Sequence, residues 1–244
     1  MRVFASCQDI GVRAVLPAVN HRGSVFLRRL TERRRSMPLK NRVLPTGEIV
    51  SHPSKAGLFM GNRGILHGED RTLGSSRWKQ KNWIICALDF SGRKRELMSK
   101  GCYTELFFLD EAVALAAGHR PCAECRRAVF LAYRSAFARV NGAEARAGEI
   151  DKALHAVRVD SRRRLQIRLE VNTSEIPDGA MVHFEGEAWL LRNGRLLHYT
   201  PDGYDTAMGL AAGTVTVLTP KPSVIALQNG FVPVVHPSAD AFSA

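Results

Sequence analysis

The chain has 244 residues, with 35 Lys+Arg against 23 Asp+Glu and a formal net charge of +12. Hydrophobic residues at 45% and charged residues at 24% are globular proportions, which exclude a collagen-like fibre, a simple coiled coil and wholesale disorder. No run of about 18 apolar residues occurs, so no membrane-spanning helix is expected.

The length suits one or two domains with real cores. Five cysteines do not make a disulfide framework; a reducing compartment, the cytoplasm, is the expectation. The positive charge is unevenly placed. Residues 1–36 hold eight arginines against Asp9 and Glu32, so +6 lies there and, subtracting from +12, +6 in the rest. An Arg-rich, acid-poor leader has the composition of a transit peptide or a nucleic-acid-binding arm. The plainer expectation is a disordered extension, or a native start at Met37, where Met37-Pro38-Leu39-Lys40 opens a better-ordered sequence.

From Leu44 to Leu73 the chain is rich in Gly and turn residues and reads as short strands joined by tight turns. Asn82–Phe90 is a β-rich apolar run, and Thr104–Leu109 a second strand. A short helix follows, with Asp110 as N-cap, Glu111–Ala117 as body and Gly118 as the closing residue. A longer helix is predicted over 123–140, where Val129, Phe130, Tyr133, Phe137 and Val140 recur at helical spacing. Another covers 149–157, before a basic linker (Arg158, Arg162, Arg163, Arg164).

Beyond residue 164 the period changes. Leu165, Ile167, Leu169 and Val171 alternate with polar residues, the pattern of a half-buried strand. Glu187–Arg192 and Arg195–Tyr199 flank Asn193-Gly194, a strong hairpin signal. Thr214–Thr219 is a further strand, and Pro222–Asn229 a helical turn closed by Gly230. One internal echo stands out: Ala114-Leu115 with Gly118 and Pro121 repeats as Ala226-Leu227 with Gly230 and Pro233.

The sharpest chemical signal is Gly118-His119-Arg120-Pro121-Cys122-Ala123-Glu124-Cys125. Two thiols spaced Cys-x-x-Cys at a helix entrance can grip a tetrahedral metal. Free backbone N–H groups there, with Arg120, Arg126 and Arg127 nearby, favour the thiolate. Zinc suits sulfur ligands and needs no redox chemistry. A thioredoxin-like redox pair and two unliganded buried cysteines are the alternatives.

The run Glu111-Ala112 … Leu115-Ala116-Ala117-Gly118-His119-Arg120-Pro121-Cys122-Ala123-Glu124-Cys125 resembles the end of the Ada-type DNA-repair metal-binding domain. The resemblance implies that Cys122 and Cys125 are two of four zinc ligands. It also implies that His119, which stands where that family has Phe or Tyr, packs or stacks. Upstream, Phe59–Arg71 is similar to the part of shortened relatives that supplies His-x-x-x-Cys ligands. His67 falls in the histidine position, but Arg71 occupies the cysteine position, with Asp70 the nearest residue able to coordinate. The implied ligands are therefore His67, Asp70, Cys122 and Cys125, with Cys102 as the alternative fourth. With no upstream cysteine, methyl-acceptor activity is not expected. The whole chain also resembles a family of bacterial proteins of this architecture, which implies no activity.

Arg71, Arg77, Lys79, Arg120, Arg126 and Arg127, with Trp78 and Trp83 among them, suit phosphate neutralisation and base stacking. A solvated basic face with core tryptophans is the alternative. Lys81, Arg93, Lys94, Arg95 and Lys100 add to the same basic region. Asp151 and His155, four apart, could share a helix face as carboxylate and base, or form an ordinary surface pair. His183, His198 and His236 have no metal-like spacing.

The combined expectation is an α+β protein: a zinc-binding α+β module at 37–157, then a β-rich module at 158–244. It would bind Zn2+ and nucleic acid, within DNA repair or processing. Two alternatives are a metal-dependent or His-based hydrolase or nuclease, and a protein-interaction module with a purely structural zinc.

Overall fold

The computed structural model describes residues 37–92, 96–141, 145–160, 162 and 165–242. The expected N-terminal extension and the basic residues Arg93, Lys94, Arg95, Arg163 and Arg164 lie outside them. Pro38–Ala244 form one compact unit.

The turn-rich first stretch folds as expected into short strands: β1 (Lys40–Val43), β2 (Ile49–Ser51) and β3 (Phe59–Asn62). With β4 (Ile84–Ala87), β5 (Leu106–Phe108) and β6 (Arg120–Pro121) they make a six-stranded mixed sheet, ordered β2-β1-β5-β3-β4-β6. Helix α1 (Glu111–Ala116) joins β5 to β6 and is buried along its whole length. Its small side chains (Ala112, Ala114, Ala116) let neighbours approach on every face. The Asp110 carboxylate accepts from Val113 N at 2.9 Å and caps the helix. Gly118, at φ +85°, closes it.

Helix α2 (Arg127–Asn141) begins four residues later than its apolar period suggests. Residues 123–126 form a turn instead, because amides there serve the Cys122 sulfur rather than a helical carbonyl. Helix α3 (Ala147–Arg158) follows, and β7 (Val159–Asp160) pairs with β8 (Leu165–Gln166). Arg158 is not part of a linker. It is the last residue of α3 and fully buried.

The second sheet holds β9 (Leu169–Asn172), β10 (Met181–Phe184), β11 (Glu187–Arg192), β12 (Arg195–Thr200), β13 (Gly203–Gly209) and β14 (Thr214–Val217). All its pairings are antiparallel, in the order β13-β12-β11-β10-β14-β9. The β11–β12 hairpin turns at Asn193 (φ +51°) and Gly194 (φ +71°), a left-handed pair that Asn-Gly adopts readily. The alternation at 165–171 misleads: β8 and β9 are separate, β9 is an edge strand, and Ile167 and Leu169 are exposed.

Helix α4 (Lys221–Gln228) ends as α1 does. His119 N donates to Ala114 O and Gly118 N to Leu115 O, while Phe231 N donates to Ala226 O and Gly230 N to Leu227 O. The sequence echo is thus one helix-ending motif used twice, with glycine at the left-handed position each time.

One apolar core runs from Val43 and Phe108 through α1 to Leu190, Val217 and Phe231. Polar bonds stitch the two sheets' segments across it. The buried Asp110 carboxylate accepts from Tyr204 Oη (2.7 Å) and His236 N (3.0 Å). Glu111 accepts from Val234 N (3.0 Å) and from Arg126 Nη1 (2.6 Å).

Candidate metal centre

The parallel pairing of β4 with β6 runs Ile84↔Arg120 and Ile85↔Pro121, and continues as Cys122 N donates to Ile85 O at 2.9 Å. This register carries Cys86, at the open end of β4, alongside Cys122. The tight turn then returns Cys125 to the same point. The sulfurs of Cys86, Cys122 and Cys125 all lie within 4.8 Å of one another. Sulfurs sharing a tetrahedral ion at about 2.3 Å would stand about 3.8 Å apart. The three lie close enough to hold a metal ion. Cys122 is buried, while Cys86 and Cys125 are half-buried, so the group faces outward on one side.

The local electrostatics favour sulfur anions. Hydrogen bonds from the Cys125 and Cys86 thiols hold Cys122 well below the usual thiol range, helped by the Glu124 and Cys125 amides. Glu124 N reaches the Cys122 sulfur at 3.4 Å. Cys86, donating to that thiolate, is pushed up. One thiolate thus accepts from two thiols, and a metal ion would take the place of the two shared protons. An all-sulfur set suits soft or borderline ions and not the oxygen-seeking magnesium or calcium.

Two of the four ligands implied by the resemblance, Cys122 and Cys125, come together here. His67 does not join them, because both its ring nitrogens are occupied. Nδ1 meets Thr104 Oγ1 at 2.6 Å and Nε2 meets Ser99 O at 3.3 Å. Asp70 is exposed and caps its own loop by accepting from Thr72 N and Oγ1. Cys102, buried with its amide on Ser99 O, is also outside the group. Cys86 was hidden in an apolar strand run.

His119 is fully buried, with its ring on Phe108 (4.6 Å between centroids) and beside Trp83 (5.4 Å). Arg63 Nε donates to its Nε2 at 3.3 Å. Burial, then the charges of Arg63 and Arg158, keep the imidazole well below its ordinary pKa and hence neutral.

The six basic candidates separate by burial. Arg120 and Arg126 point inward: Arg120 makes a two-pronged pair with Asp151 (3.0 and 2.7 Å), and Arg126 pairs with Glu111. Both are excluded as surface contacts. Arg71 pairs with Glu96. Arg77, Lys79 and Arg127 are exposed and make no ion pair among the described residues. Trp83 is core, whereas Trp78 is half-buried.

The Asp151–His155 pairing does not form either. Asp151 belongs to Arg120, and His155 Nδ1 lies 3.3 Å from Arg158 Nη2. In the second sheet, His198 Nδ1 meets Asp205 Oδ1 at 2.8 Å and His236 Nδ1 meets Ser238 Oγ at 2.9 Å, both local contacts. His183 is exposed on β10.

No helix of the described residues is long and apolar enough to cross a membrane. Compared with protein-family models, curated proteins and solved structures, the chain matches none of them.

Proposed function

We propose that Cys86, Cys122 and Cys125 hold a zinc ion and that the protein binds nucleic acid, in DNA repair or processing. The convergence of three thiols from β4 and the β6–α2 turn carries the zinc reading. Bound zinc would tie a central strand to the entrance of the longest helix, acting as a cross-link in a sheet whose β6 has only two residues. The chain's own contribution is to set that geometry: the β4–β6 register aligns Cys86 with Cys122, and the turn amides hold the sulfur lone pairs in place.

Support for nucleic acid comes from charge. Arg77, Lys79, Lys81 and Arg127 are exposed and lack ion-pair partners among the described residues. Such cations release counterions when they meet phosphates, so binding should fall steeply with salt. The test is a salt titration of the zinc-loaded, full-length protein against labelled single- and double-stranded DNA. Log affinity that declines linearly with log salt supports the reading. Negligible affinity at low salt overturns it.

A further inference from the structure

The loop before β4 lies over a cationic knot that the metal centre does not use. Two buried guanidiniums lie over the Trp83 ring, with Arg63 Cζ 4.3 Å and Arg158 Cζ 4.0 Å from its centroid. Among the described residues neither arginine has a carboxylate partner of its own. Arg63 donates to Gly47 O, Ala117 O and His119, and Arg158 to Gly118 O and Lys81 O. Arg158 Nε has no hydrogen-bond partner. Asp151, whose charge favours that of Arg158, is bonded to Arg120. The two charges therefore rest on backbone carbonyls, two of them at the C-terminal end of α1, where the dipole is negative. Burial above all lowers both guanidiniums to about 9, helped by the charges of Arg158 and Arg77 at Arg63 and of Arg120 at Arg158.

Buried positive charge in excess of its counter-charge is felt at the nearby surface, because the low-dielectric interior screens it little. That surface is the loop Arg77-Trp78-Lys79-Gln80-Lys81. Its backbone is bonded to the knot: Lys79 N donates to Arg63 O at 2.8 Å, and Lys81 O accepts from Arg158. Arg77 lies close enough to raise the cost of charging Arg63, and Lys81 does the same to His155. Some basic side chains of the described residues are matched, as in Arg71–Glu96, Lys100–Glu69 and Arg192–Asp240. Here Arg77, Lys79 and Lys81 are not.

Trp78 sits in the middle of this stretch. It is half-buried and braced by Trp83 (5.9 Å between centroids) and by the edge of His155 (5.8 Å). A braced aromatic surface loses little freedom when a flat ring stacks on it. Cations at alternate positions around one aromatic fit a ligand that carries phosphates and bases together. An acidic peptide would use the cations and leave the indole idle.

We propose that single-stranded nucleic acid binds across Arg77–Lys81, with a base stacked on Trp78 and phosphates on Arg77, Lys79 and Lys81, held in the field of buried Arg63 and Arg158. This rests on the nucleic-acid reading above and gives it a strand class and a place.

The test is fluorescence anisotropy of labelled oligothymidylate, with labelled heparin as a polyanion without bases, using zinc-loaded full-length protein. Trp78→Ala should weaken oligothymidylate binding about 5-fold to 100-fold, the range of one base–aromatic stack. It should leave heparin binding unchanged, and Trp78→Phe should restore most of the loss. Arg77→Glu with Lys81→Glu should weaken both ligands and reduce the salt slope by about two counterions. Lys55→Glu, an exposed cation outside this stretch, should do far less. Zinc content and circular dichroism of each variant check that it is folded. If the wild type binds DNA but Trp78→Ala binds as well, or duplex is preferred, the placement is overturned while the nucleic-acid reading stands. If heparin and oligothymidylate respond alike to every variant, the surface is for acidic partners in general and the proposal fails. If the wild type binds neither ligand, both readings fail.

Discussion

Asp151→Asn should be among the most damaging single changes in the protein, and the structure sets its size. Asp151 on α3 receives Arg120 Nε at 3.0 Å and Nη2 at 2.7 Å, and the two side chains are only 5% and 8% exposed. The asparagine keeps the shape but removes the negative charge, leaving a buried guanidinium with only neutral acceptors, the new amide oxygen and Pro121 O. Removing one partner of a buried pair costs about 3–5 kcal/mol. For a unit of this length, that corresponds to a Tm lower by about 6–20 °C. Arg120 is two residues before Cys122 and forms half of β6, so the loss should also loosen the thiol cluster and speed metal release to a chelator. Urea unfolding and chelator-release kinetics measure the two effects. The double variant Arg120→Met with Asp151→Leu should recover most of the stability, because two apolar side chains leave no orphaned charge. A loss below about 1 kcal/mol for Asp151→Asn, or a double variant no more stable than the single, would refute the reasoning.

His119 is neutral when folded and has a depressed pKa, whereas in the unfolded chain it takes up a proton near its ordinary value of 6.5. Its contribution is therefore present above that pH and lost as the pH falls, by at most about 1.4 kcal/mol per pH unit. His119→Phe should show a shallower loss of urea stability than the wild type between neutral and mildly acidic pH; equal slopes would exclude this role. Gly118→Ala should be costly, since φ is +85° and a new Cβ would lie 2.9 Å from Arg158 Cδ. Gly194→Ala, also left-handed but with open space around it, should lose only the backbone part, about 1 kcal/mol by thermal melts. Equal losses would show that close packing at Gly118 does not matter.

Features governed by local chemistry were readable in the sequence. Asp110 as cap, Gly118 as terminator and the Asn193-Gly194 hairpin each depend on a few adjacent residues. The Cys122–Cys125 spacing is of the same kind. Cys86 was not readable, because it reaches the pair only through a strand pairing that joins Ile84 to Arg120, with β5 and α1 between them in the chain. Arginine burial was also hidden. Arg120 and Arg126 look like surface cations until their partners, Asp151 and Glu111, are brought 31 and 15 residues closer by the fold. The strand over 165–171 fails for a further reason: alternation marks a strand's two faces, but an edge strand may have neither of them covered. Arg168, turned to Leu218 O and Thr46 O, divides that run in two.

Zinc K-edge absorption on protein purified without chelators addresses the thiol cluster directly. The account predicts zinc bound to three sulfurs at about 2.3 Å, falling to two sulfurs in Cys86→Ser. Protein without zinc, or a sulfur count that Cys86→Ser leaves unchanged, would contradict it.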